Sequence, residues 1–179
     1  MTGAGARVAG IDGCPAGWIA CLVAADGVAE PEIRVVARLV DLFEGRDAPV
    51  VAAIDMPIGL PEWIGPEGRG PERLVRPMLG ERQSSVFSIP SRAAIHAGEG
   101  LDERAGYAAA CAVALATSDP PRKVSKQAFH LFPKIREIDR LVTGDAPPPL
   151  VEAHPEVAFT VLNDGRPMRL PKKVKSRPN

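Results

Sequence analysis

The chain has 179 residues, 45% of them apolar, and 22 basic residues balance 22 acidic ones. That length suits a single domain with a real core, and no run approaches the roughly 18 apolar residues of a membrane span. Three cysteines without a CxxC pair argue against a disulfide framework and a zinc knuckle, so the expected setting is reducing and cytoplasmic, with Cys14, Cys21 and Cys111 as buried, inert thiols.

The opening "MTGAGARVAG" lacks the layout of a signal peptide and reads as a short lead-in. Residues 7–13 and 17–24 are two apolar runs around the turn "CPAGW", where Pro and Gly supply the geometry. "EIRVVARL" (32–39) is a third β-rich run, which completes an antiparallel meander. "VDLFEG" (40–45) predicts a short helix. "PVVAAIDMPIGLP" (49–61) is a continuous apolar run, the pattern of a strand buried on both faces.

Residues 57–100 are rich in Pro, Gly and Arg and predict loops with short helices, for example over 71–79. The Ala-rich segment 101–117 predicts a helix that is apolar nearly all round and therefore buried. Residues 125–142 predict a further helix with a break before Pro133. "LVEA" reads as a short strand, and a helix follows from Pro155 to Gly165. The order is three antiparallel strands, a fourth strand, a helical insertion over about residues 57–146, a fifth strand and a helix. That order predicts one α/β domain with a mixed sheet.

Three acids lie in or at the ends of apolar strands: Asp12, Asp55 and Glu152. A buried carboxylate needs a partner, and each of these acids alone would fit a structural role. If the strands are neighbours, the three meet at one end of the sheet and need a cation; hard oxygen donors suit Mg2+ or Mn2+. His154 follows Glu152 at strand spacing, which fits either a metal ligand or general acid, or a cap for the helix that begins at Pro155.

The blocks "GIDGCPAGWI", "AAIDMPIGLP", "LGERQSSVFSIPSRAA", "SKQAFHLFPKIREID" and "VEAHPEVAFTVLN" together resemble a domain-of-unknown-function family labelled as predicted RNase H-like nucleases. The resemblance runs from about residue 8 to 173. It implies a ribonuclease H-like fold in which Asp12 and Asp55 carry divalent metal, with Glu152 as a further acidic position. It also implies metal-dependent hydrolysis of phosphodiester bonds in nucleic acid. Such folds commonly place a last acid on a helix after the fifth strand. Here the only acid after Glu156 is Asp164, in an "NDG" turn. The metal site is then incomplete, or it uses three carboxylates and water, or a partner chain completes it.

Arg82, Ser84, Ser85 and Arg92, from "ERQSSVFSIPSR", form a second cluster that could hold a phosphate or simply tie down its own loop. Lys126, Lys134, Lys172 and Lys173 fall in family-like blocks and would line a groove for a polyanion or stay solvated. Residues 166–179 carry six basic residues and no acid, which leaves the first 165 with a net charge of −6. This tail is either a polyanion contact or a solvated end. His130 reads as a packed helix residue, and His96 has no acidic company in sequence. Aromatic content of 4% argues against an extended stacking platform for single strands.

No GxSxG elbow, GKS or GKT phosphate loop or HExxH motif is present. "GAGARVAG" precedes the first strand instead of following it and is no dinucleotide fingerprint. Two alternatives to a nuclease remain at this level. One is a catalytically incomplete member that binds nucleic acid or a protein. The other is an actin-like ATP-dependent phosphotransferase, which would normally need a second such domain.

Overall fold

β1 (Arg7–Cys14) and β2 (Gly17–Ala24) form a hairpin closed by Pro15 and Ala16, with Cys14 opposite Gly17. Gly17 has φ +126°, and a Cβ there would fall 2.3 Å from the Val36 carbonyl oxygen, so the turn requires glycine. The computed structural model describes residues 5–168, together with the backbone of 173–174 and 177–178.

β3 (Glu32–Val36) pairs antiparallel with β2. It ends three residues before the predicted limit because the chain turns into a 3-10 helix at Leu39–Phe43. There Glu137 Oε1 accepts the Leu39 N–H at 2.6 Å. β4 (Val51–Ile54) lies parallel to β1, and β5 (Leu150–Glu152) lies parallel to β4. The sheet order is β3-β2-β1-β4-β5.

Five α-helices and a 3-10 helix (Gly80–Ser85) fall between β4 and β5: the α-helices are α1 (Gly70–Leu79), α2 (Arg92–His96), α3 (Glu103–Ala116), α4 (Lys126–Phe129) and α5 (Phe132–Val142). α6 (Pro155–Leu162) follows β5, and β6 (Lys173–Val174) pairs with β7 (Arg177–Pro178). Side chains start three of the helices. Ser91 accepts the Ala94 N–H, Asp102 accepts the N–H groups of Arg104 and Ala105, and Ser125 accepts the Ala128 N–H.

One face of the sheet is buried. Ala9, Ile11, Trp18, Ala20, Leu22, Ala52 and Ile54 point into a core shared with Ile95, Ala110, Ala114, Phe132, Ile135 and Ile138. The other face leaves Ile33 62% and Val35 53% exposed. This corrects two expectations. β4 alternates between buried and more open residues, because the described helices cover one face only. α3 buries a stripe of Gly106, Ala110, Cys111 and Ala114 and turns its other alanines outward, where a methyl group costs little. Cys111 is buried, while Cys14 and Cys21 are half-buried. No described helix is long and apolar enough to cross a membrane.

Candidate active site

The register of the sheet decides where the carboxylates go. Ile11 on β1 is level with Ile54 on β4, and the Asp55 N–H extends that ladder to the Ile11 carbonyl at 3.0 Å. The next residue on each strand is a carboxylate. Asp12 and Asp55 therefore stand side by side at the carboxyl ends of two neighbouring parallel strands. Ile11 and Ile54 face the core, so strand alternation turns both aspartates to the opposite side. The Gly13 N–H donates to Asp12 Oδ1 at 2.6 Å and fixes that carboxylate.

Glu152 is level with Ile54 itself. It shares the face of Ile54, on the covered side, rather than that of the aspartates. Arg69 holds it there, with Nη2 2.7 Å from Oε1 and Nη1 3.1 Å from Oε2. The Ile58 N–H adds a third hydrogen bond to Oε2 at 2.8 Å. Arg69 is 6% exposed, and its Nε donates to the buried Glu72 at 2.8 Å. Burial works against the Arg69 charge, but Glu152 and Glu72 outweigh it and raise its pKa above the ordinary arginine value.

Asp12, Asp55 and Glu152 all line one cleft of about 570 Å3 at the ends of the parallel strands. This is where ligands bind in open α/β sheets. α1 and α6 wall it, with Met56, Val75, Phe87, Leu131 and Val157 among the apolar lining. Among the described residues no group of three His, Cys, Asp or Glu side chains could hold a metal ion. Asp12 and Asp55 carry hard oxygen donors, the type that suits Mg2+.

His154 sits at the start of α6 in extended conformation, but its side chain makes no cap hydrogen bond. It lines the cleft instead, with Nε2 3.5 Å from the Ser85 carbonyl and Nδ1 buried without a partner. Ser85 also lines the cleft, and its Oγ is buried without a partner. Ser84 is exposed. Arg82 pairs with Glu156 at 2.7 Å, beside the cleft wall.

Arg92 and Lys126 are not part of the cleft lining. Arg92 pairs with Asp139 at 3.2 Å, and Lys126 pairs with Glu103 at 3.0 Å while standing over the Tyr107 ring. Lys172 and the Lys173 side chain lie outside the described residues. Two histidines differ from expectation. His96 does have acidic company, with Nε2 3.1 Å from Asp139, which is distant in sequence. The His130 side chain is 61% exposed beside Glu103, not packed.

The sequence reading missed Arg69. Its only local signal is "RGPERL", a glycine and a proline at a helix start with Glu72 three residues on, and the decisive partner is 83 residues away. Lys134, expected in a polyanion groove or solvated, is instead half-buried against the sheet. Its stem lies against Gly13, its Nζ stands over the Trp18 ring at 4.4 Å, and Trp18 Nε1 donates to Glu137 at 2.9 Å.

The family described as Protein of unknown function (DUF429) matches residues 10–178. The chain belongs to the DUF429 family. The match spans every strand of the five-stranded sheet except the first residues of β1, and it takes in Asp12, Asp55, Arg69 and Glu152. No curated protein and no solved structure matches this DUF429 chain.

Proposed function

We propose that the chain is a metal-dependent nuclease of ribonuclease H-like fold, hydrolysing phosphodiester bonds in nucleic acid. The observation that carries this reading is the register that sets Asp12 beside Asp55 on adjacent parallel strands, both lining an open cleft. The order β3-β2-β1-β4-β5, with β2 and β3 antiparallel and β4 and β5 parallel to β1, supports the fold assignment.

Asp12 and Asp55 are the residues that would hold Mg2+ or Mn2+. Bound there, the ion would activate a water and stabilise the leaving oxygen of an in-line displacement. The Gly13 N–H keeps one Asp12 oxygen occupied and so directs the other outward. Arg69 neutralises Glu152, which lowers the negative charge that a polyanionic substrate meets at the cleft. A reaction in the cytoplasm suits the free thiols.

One observation favours a second reading, a member that binds nucleic acid without cleaving it. The third acid, Glu152, is committed to Arg69 on the other face of the sheet. Cleavage of a labelled nucleic acid under Mn2+ titration separates the two. Asp12→Asn and Asp55→Asn are each expected to lower the rate on the order of a hundredfold or more, as expected when a group that holds the metal is lost. Unchanged rates in both variants would remove the site. Salt-dependent binding by a wild type that never cleaves would establish the second reading.

A further inference from the structure

Arg136, on α5, is a buried cation without a counter-ion. It is 8% exposed and forms no ion pair among the described residues. The other buried charged residues, Arg69, Glu72 and Asp139, are all paired. The residues outside the described set contain no Asp or Glu, so none of their side chains can supply the missing charge. A buried charge left unpaired is costly. Burial holds the Arg136 pKa below the ordinary arginine value.

A structural role accounts for part of the side chain. Nε donates to the Ile95 carbonyl at 2.7 Å, in the last turn of α2, where carbonyls lack helical partners. The guanidinium carbon stands 5.9 Å from the centre of the Phe132 ring. The two Nη groups remain. They make no hydrogen bond with the described residues, and neither is sealed from solvent. A planar fork of N–H donors therefore faces outward from a buried positive charge.

Two further charges act on Arg136, those of Glu99 and Arg140. Arg140 follows it by one helical turn on the same face of α5. Arg140 Nη2 donates to both oxygens of Glu99 at 2.5 Å, so those two charges balance each other. The group of three keeps one positive charge. A singly charged oxyanion balances it, and a dianion overshoots. Donors from successive turns approach from two directions, which suits a tetrahedral phosphate better than a flat carboxylate.

We propose that Arg136, with Arg140 beside it, binds one phosphodiester group on its Nη edge, at the junction of α2 and α5. Neither arginine lines the cleft, so this site is separate from the aspartates and does not depend on the nuclease reading. A nucleic-acid backbone and a phospholipid headgroup both present this chemistry.

The test is a shift titration of the full chain with dimethyl phosphate to about 50 mM, well beyond the millimolar affinity of one charge-assisted contact, against sodium chloride of equal ionic strength. The Arg136 Nε–H and the amides of His96, Glu99 and Arg140 are expected to shift. Arg136→Lys keeps the charge without the fork and should weaken binding roughly tenfold. Arg140→Gln, at an exposed position, frees the Glu99 carboxylate and should weaken it too, which keeps the site testable even where position 136 does not tolerate change. Arg73→Gln, on the exposed side of α1, should leave it unchanged. No shift above the chloride control, or wild-type affinity in the folded variants, overturns the site. An equal response to acetate overturns the phosphodiester class. A single-stranded oligonucleotide and phosphatidylglycerol vesicles name the source: either one bound, and weakened by Arg136→Lys or Arg140→Gln, supports the site, and binding of both that neither variant weakens overturns it.

Discussion

Arg69 and Glu152 close on each other through two hydrogen bonds of 2.7 and 3.1 Å, joining the start of α1 to the end of β5 across 83 residues. The guanidinium also reaches the Ile58 carbonyl at 3.0 Å, in the segment that follows β4. One buried cation thus ties together three parts of the cleft wall.

Removing that cation should be costly. Arg69→Ala leaves Glu72, 2% exposed, and Glu152 without their counter-charge, and the expected loss is about 3–5 kcal/mol. Glu152→Gln keeps an oxygen for the Ile58 N–H and should cost about 1–2 kcal/mol. Urea midpoints of the two variants and their double mutant give the coupling. A Glu152→Gln variant as stable as the wild type, beside a large loss in Arg69→Ala, would mean that Glu72 alone stabilises Arg69.

Gly13 leaves room for Lys134. A Cβ at position 13 would fall 2.6 Å from Lys134 Cδ and 2.8 Å from Cε. Gly13→Ala should therefore displace the lysine from the Trp18 ring and the Gly17 carbonyl, at a cost of about 1–3 kcal/mol. In a Lys134→Ala background the same substitution should cost less than half as much. A thermal-melt comparison of the four proteins decides it, and an undiminished cost would place the strain in the backbone instead.

Asp139 holds α5 to α2. Its side chain is 7% exposed and meets Arg92 and His96. Asp139→Ala removes the counter-charge of Arg92, whose side chain is 37% exposed, and the acceptor beside His96 Nε2, and should destabilise the fold by about 1–3 kcal/mol. Denaturant unfolding measures it. A loss under about 1 kcal/mol would mean that solvent replaces the aspartate.

Acid should weaken one surface link in a predictable direction. Hydrogen bonds from Arg140 hold the Glu99 carboxyl below its ordinary value of 4.5. A carboxylate with a depressed folded pKa stabilises the native state above its unfolded pKa, and the contribution is lost as pH falls through the folded pKa. Melting temperatures read from about pH 6 down to about pH 3 should fall less steeply in Arg140→Ala than in the wild type. Parallel curves would show that Glu99 contributes nothing to the acid limb.

Local chemistry made much of the fold legible. Apolar runs on either side of a Pro-Gly turn marked β1 and β2, Pro and Gly bounded several helices, and both strand-end aspartates stood out as charges in apolar runs. The faces of the sheet were less legible. The run at 49–61 reads as doubly buried because Val, Ala and Ile carry no record of what covers them, and burial is a property of neighbours supplied by distant helices.

The sequence by itself determined which residues are strands and helices, and that Asp12, Asp55 and Glu152 sit at apolar strand ends, because these follow from residue types a few positions apart. Only the tertiary structure decided their company. A strand's side chains alternate between faces, so register alone sets Asp12 beside Asp55 and turns Glu152 away. Arg69 for Glu152, Asp139 for His96, and the Ser85 carbonyl for His154 are all contacts between residues far apart in the chain. Chain folding brings them together, and no spacing within the sequence encodes it.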